Sequence, residues 1–163
     1  MRAHLPAALI RAALVVLCAA ALPGAAGAQG SIQPDPARPH GGFKPHQLSF
    51  QTPVDGVARA EYRSHLFFAI ILKSAPRCSV TEDERLAAQA LFPANKVFAT
   101  RFGCDDEPEE HVTYTNVNAE FGFLAVYAGA TSREAEAFLA RVKATGRFPG
   151  ANVRRMQAVI VYP

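Results

Sequence analysis

The stretch FGFLAVYAGATSREAEAFLARVKATGRFPGANVRRMQAVIVYP, residues 121–163, decides the fold, because an earlier stretch already follows the same order. In this later copy the apolar run Phe121 to Ala128 leads to a helix start at Thr131 and Glu134 and then to an apolar-striped helix. The connector Phe148-Pro149-Gly150-Ala151-Asn152 and a final run from Val153 to Tyr162 follow. In the earlier copy the run is Leu66 to Leu72, the helix start Thr81 and Glu84, the connector Phe92-Pro93-Ala94-Asn95, and the next run begins at Val97. Two tandem strand, helix, strand units are two crossovers, each of which sets its strands parallel with the helix on one face. Interleaved, they make an α+β fold of ferredoxin-like βαββαβ order: one four-stranded antiparallel sheet with both helices on one face. The functional surface is then expected on the other, open face.

The helix boundaries carry their own signals. Thr81 with Glu84, and Thr131 with Glu134, have the spacing of a reciprocal capping box, in which hydroxyl and carboxylate each satisfy a free backbone N–H. The first helix is expected over about Glu82 to Leu91, with Leu86, Ala87, Ala90 and Leu91 as its apolar stripe, and Pro93 ends it. The second is expected over about Ser132 to Thr145, with Ala135, Phe138, Leu139 and Val142 at helical spacing, and Gly146 ends it. Leu66 to Leu72 is apolar at every position, the pattern of a strand covered on both faces. Something therefore covers part of the open face: the N-terminal segment, a second protomer or a ligand.

Residues 1–28 read as a secretory signal: Arg2 and Arg11, an apolar stretch from Ala12 to Leu22, and the small-residue pattern Ala26-Gly27-Ala28. The stretch is shorter than the roughly 20 apolar residues a membrane span needs, so no membrane attachment is expected after cleavage. Arg2 and Arg11 leave with the signal and no acid does, so the remaining chain is close to neutral and nothing calls for nucleic acid. The location expected is exported, periplasmic or extracellular. Residues 29–60 hold Pro34, Pro36, Pro39, Pro45 and Pro53 without a sustained period, which reads as a linker or tail, although Gln47 to Phe50 can dock. Residues 61–163 are the expected folded domain.

Cys78 and Cys104 are the cysteines left after cleavage, and an even pair in an exported chain reads as a disulfide. The first two strands of the interleaved sheet run parallel, so a cysteine just past the end of each lies at the same edge. The spacing is far from that of a redox-active Cys-x-x-Cys pair.

No nucleophile elbow, zinc helix or phosphate loop is present, so no catalytic residues, no cofactor and no metal site are expected, and the chain reads as a non-enzyme. The acidic run Asp105 to Glu110 lacks calcium-loop spacing and reads as a solvated loop. His65 and His111 are isolated. The alternating segment Val112 to Val117 reads as a short extra strand, hairpinned through Asn118 to Phe121. Strand alternation places Leu124, Val126 and Ala128 toward the helices and Phe123, Ala125 and Tyr127 on the open side, or the reverse. Met156, Ala158 and Ile160 form the apolar set of the last run, with Arg155 and Gln157 opposite. Rings, a guanidinium and an amide on one surface suit a sugar polymer, since pyranose C–H faces stack on rings and hydroxyls need planar hydrogen-bonding groups. The competing reading makes Phe123 and Tyr127 core.

Phe123-Leu124-Ala125-Val126-Tyr127-Ala128-Gly129, followed by Thr131-Ser132-Arg133-Glu134-Ala135 and the helix to Lys143, resembles the SPOR (sporulation-related) domain over about 40 residues. The first half shares only the order of elements: Lys73 to Cys78 replaces a glycine turn, and the acidic loop is inserted. The resemblance implies a βαββαβ domain of a bacterial envelope protein that binds peptidoglycan glycan strands stripped of their peptides. The glycan contacts expected on the open face are Phe123, Tyr127, Arg155 and Gln157. The alternative is a protein partner or a homodimer using the same apolar face.

Overall fold

The computed structural model describes residues 31–38, 42–51, 61–100, 104 and 111–161. The expected signal, residues 1–28, and the acidic run lie outside the described residues. The repeat appears as β3 (Phe67–Pro76), α1 (Glu82–Leu91) and β4 (Val97–Ala99), then β6 (Phe121–Gly129), α2 (Ser132–Ala144) and β7 (Asn152–Met156). These four strands form one sheet in the order β4-β6-β3-β7, each neighbouring pair antiparallel. Both helices pack on the same side of it: Ala88 of α1 and Ala135, Phe138 and Val142 of α2 share a core with Ile70, Leu72, Leu124 and Val126.

The sheet is not alone. A second one is built from β1 (Ser31–Ile32), β2 (Glu61–Ser64), β5 (Val112–Tyr114) and β8 (Ala158–Val161), in the order β1-β2-β8-β5. It lies on the face opposite the helices, where Ile32, Val112, Tyr114, Ala158 and Ile160 share a core with Phe67, Ala69, Ile71, Phe98, Phe123 and Ala125. The expectation of a single four-stranded sheet with an open face is thereby corrected: the described residues form an α+β arrangement with two helices and two sheets of four strands. The cover implied by the uniformly apolar run Leu66 to Leu72 is supplied by the chain itself.

The physical reason lies in the last run, which is not one strand. It breaks at Gln157, so that β7 stays beside β3 while β8 enters the second sheet between β2 and β5. A polar pin holds the break. The Gln157 side-chain amide donates to the Ser64 carbonyl at 2.7 Å, its backbone N–H donates to Thr115 Oγ1 at 3.0 Å, and the Ala158 N–H donates to Ser64 Oγ at 2.9 Å. Ser64 is fully buried, so losing this network would strand donors and acceptors away from water. The extra strand expected at Val112 to Val117 exists as β5, but it pairs with β8 rather than turning back on β6.

The segment expected to be a linker or tail also contributes structure in its described parts. Ser31–Ile32 pair in parallel with β2, and the strap from Phe43 to Phe50 crosses the edge strand β4, where the Ala99 N–H donates to the His46 carbonyl at 2.9 Å. Leu48 and Phe50 are fully buried. Proline-rich backbone is compatible with this role because the strap borrows hydrogen bonds from neighbours instead of forming a ladder of its own.

Both capping boxes form. Thr81 Oγ1 accepts from the Glu84 N–H at 3.2 Å and Glu84 Oε2 accepts in return from the Thr81 N–H at 3.2 Å; the Thr131 and Glu134 pair does the same. Gly146 terminates α2 at φ +68°, a conformation glycine adopts without steric cost. One stripe differs from expectation. In α1 the buried residues are Arg85 and Ala88, whereas Leu86, Ala87 and Ala90 are exposed. Arg85 turns inward because its guanidinium is held by Glu82 at 2.5 and 2.8 Å and lies 3.5 Å from the Val97 carbonyl. The small side chain of Ala88 lets the helix sit close to the sheet.

Cys78 and Cys104 form a disulfide with a Cα–Cα distance of 5.3 Å, past the ends of β3 and β4. Closing a 26-residue span stabilises the fold by about 3.5 kcal/mol in the chain-entropy model. Reduction, or Cys78→Ala with Cys104→Ala, is expected to lower the melting temperature by on the order of 10 °C, measured by calorimetry. A second expectation follows from the caps. Hydrogen bonds from Lys73 and then from the Thr81 backbone hold the Glu84 carboxyl below its usual range, and the Thr131 hydroxyl and backbone do the same for Glu134. Their contribution is present above the unfolded carboxylate pKa near 4.5 and is lost as pH falls through the lower folded values. Acid melting curves should therefore be shallower in a Glu84→Gln, Glu134→Gln variant.

Candidate functional site

The second sheet does not cover the whole of the first. Beyond its edge, where the C-terminal half of β3 meets the start of β6 and of β7, a groove of about 540 Å³ remains. Its floor is Ile71, Gly122 and Phe123. One wall is the connection between β5 and β6, carrying Asn116, Val117 and Asn118, with Phe121 at the start of β6, and the other is Asn152 and Arg154 of β7.

The wall residues are held by local geometry. Asn116 sits in the left-handed region at φ +59°, which asparagine tolerates better than most residues, and its Nδ2 donates to the Arg155 carbonyl at 3.1 Å. Asn118 Oδ1 accepts from the Glu120 N–H at 2.9 Å, closing a turn that starts β6. Asn152 Nδ2 donates to the Gly150 carbonyl at 3.2 Å. Each amide thus spends one group on the backbone, and its other group, Oδ1 of Asn116 and Asn152 and Nδ2 of Asn118, makes no hydrogen bond to a described residue. Arg154 is exposed and pairs with no described acid, and the Phe121 ring is 47% exposed at the groove mouth. The surface offers planar amides, one guanidinium and one aromatic ring.

The four residues expected to bind glycan are not brought onto one surface. Phe123 is 3% exposed and lies between the sheets, its ring 6.0 Å from Phe98 and 5.6 Å from Tyr114, so only its margin reaches the groove. Tyr127 is half-buried at the far end of the same core, 5.8 Å from the Phe67 ring, and burial followed by the charge of Glu134 pushes its phenol pKa upward. Arg155 is exposed but alternates with the inward-facing Met156, which places it on the helix side of β7. Gln157 is the pin between the sheets. The alternation that set Phe123, Ala125 and Tyr127 opposite Leu124, Val126 and Ala128 is what the two cores display; what differs is that the former face is closed.

The groove residues that sequence reasoning missed are Asn116, Asn118, Phe121, Asn152 and Arg154. Their available signal was three asparagines flanking apolar strands. Elsewhere, burial and the neighbouring Arg85 push the Lys96 pKa downward, and its Nζ donates to the Pro45 carbonyl at 2.6 Å, so it anchors the N-terminal strap. Among the described residues, no cluster of three or more His, Cys, Asp or Glu side chains is placed to hold a metal. None of the described helices is long and apolar enough to cross a membrane. No family model, no curated protein sequence and no solved structure matches this chain significantly.

The difference between core and groove rings is measurable. Phe123→Ala is expected to destabilise the fold by about 3 to 5 kcal/mol, while Phe121→Ala should change stability by no more than about 0.5 kcal/mol. Denaturant melts of the two variants check this, and equal losses would place Phe121 in the core.

Proposed function

We propose that this chain is an exported, non-catalytic module that holds glycan strands of the bacterial envelope in the groove between the β5–β6 connection and β7. The observation that carries the reading is the convergence of Asn116, Asn118, Asn152 and Arg154 beside the exposed ring of Phe121. Amides supply paired donors and acceptors for hydroxyl and acetamido groups, and a ring supplies a flat apolar face for pyranose C–H bonds. Three further features support it. The order β4-β6-β3-β7 with both helices on one face is read as a ferredoxin-like βαββαβ unit, the layout that the resemblance to the SPOR domain implies. The disulfide suits an oxidising compartment outside the cytoplasm. The N-terminal sequence has the form of an export signal.

Affinity in such a groove comes from several neutral contacts and one guanidinium, so retention should depend only weakly on salt. The test is retention of the purified chain on peptidoglycan sacculi treated with an amidase. Wild type is expected to be retained, and Phe121→Ala and Asn152→Ala to weaken retention about fivefold each, equivalent to about 1 kcal/mol, with unchanged melts. A wild-type chain that passes through unretained, or variants that bind as wild type does, would remove the glycan reading.

A further inference from the structure

We propose that the hollow between α1 and the connection from α2 to β7 binds a free fatty carboxylate, with its chain lodged against the sheet and its head group at Arg147. The hollow measures about 360 Å³, within the roughly 300–1,000 Å³ of small-molecule sites. Its floor is Leu72 of β3 and Leu124 of β6. Its walls are Ala88 and Leu91 of α1 on one side and Phe148 and Pro149 on the other. All of these side chains are apolar.

The internal repeat explains why the space exists. Aligned on the capping boxes of Thr81 and Thr131, Ala88 of α1 takes the place of Phe138 of α2, and each helix faces the Phe-Pro connector that follows the other. Phe138 spans to Phe92, the first residue of its facing connector, edge to face with ring centres 5.5 Å apart. Ala88 has only a methyl group. It closes the gap to the sheet beneath it but cannot span to Phe148, the first residue of the other connector. The room of a missing ring is left between them, and an apolar occupant would restore dispersion contacts there and take the lining out of water.

Charge selects the occupant. At the mouth, Lys73 and Glu84 pair with one another at 2.5 Å. Arg147 also lines the hollow, is exposed, and makes no ion pair among the described residues. It follows Gly146, whose φ of +68° turns the chain off the end of α2. An apolar interior with one uncompensated guanidinium at its mouth matches an apolar chain ending in a carboxylate, which can accept two parallel hydrogen bonds from that group. An ammonium head would meet like charge. Leu72 and Leu124 line the hollow, while their chain neighbours Ile71 and Phe123 line the groove on the opposite side of the sheet. Occupancy of the hollow therefore does not depend on the glycan reading.

The test is titration of the purified chain, disulfide intact, with decanoate from about 1 μM to about 1 mM, followed by calorimetry and by amide NMR shifts. Saturable binding of one molecule per chain is expected, with the largest shifts at Ala87, Leu91, Arg147 and Phe148. Arg147→Gln should weaken binding about fivefold, and decylammonium should bind at least about tenfold more weakly than decanoate. Ala87 is an exposed helix position at the mouth, so Ala87→Phe should block entry and weaken binding at least about tenfold with an unchanged melt. Absence of saturable binding, indifference to Arg147→Gln or Ala87→Phe, or decylammonium binding as tightly as decanoate would overturn the proposal. So would co-flotation of the chain with phosphatidylglycerol vesicles, which would make a lipid bilayer the occupant.

Discussion

Everything in this fold depends on burying β3 from both sides. Ile70 and Leu72 point into the core under the helices, and Phe67, Ala69 and Ile71 into the core between the sheets. A strand with no polar face needs two covers. The crossover helices provide one. The other is assembled from pieces distant in sequence: the N-terminal strap and β1, the short β2 and β5, and the final β8. Phe98 and Phe123, stacked edge to face, show how fully this second layer seals the sheet, for Phe98 is completely buried.

The second cover is held less by strand length than by specific fastenings. β1, β2, β5 and β8 are two to four residues long, too short to persist as an isolated sheet in water. They persist because their inner faces are apolar and because the Ser64, Gln157 and Thr115 pin satisfies polar groups where the chain passes from one sheet to the other. Buried polar networks of this kind specify one arrangement over its neighbours when every member is paired. The Cys78–Cys104 bridge fastens the chain just past the ends of β3 and β4 in the same spirit.

The proposed binding surface moves with the cover. A sheet face that would otherwise be broad and apolar is reduced to a groove at the end that β5 and β8 do not reach, and the residues around it are amides and a guanidinium on loops and strand ends. Short connections on a rigid double-sheet frame can hold such groups in place, which favours recognition by several modest contacts rather than one deep pocket. The rings at Phe123 and Tyr127, which pattern alone offers as a binding platform, serve chiefly to fill the space between the layers.

Elements whose signals are local were legible in the sequence. The two capping boxes at Thr81 and Thr131 located both helices, the repeat marked out the four strands of the helix-covered sheet, β3, β4, β6 and β7, and parallel strand ends placed Cys78 beside Cys104. The alternation through Phe123 to Ala128 separated the two faces correctly because side-chain direction in a strand has a period of two wherever the strand lies. What the sequence could not disclose was which partner each face meets. A break at Gln157 looks like any residue in an apolar run until Ser64, 93 positions away, accepts its amide. Arg85 turns inward only because Glu82 and the Val97 carbonyl are there to receive it, and Leu86 turns out as a geometric consequence. The apolar pattern by itself determined that β3 needs cover on both faces; tertiary structure decided that the cover is the chain's own, because only long-range hydrogen bonding and packing choose among surfaces that are equally apolar.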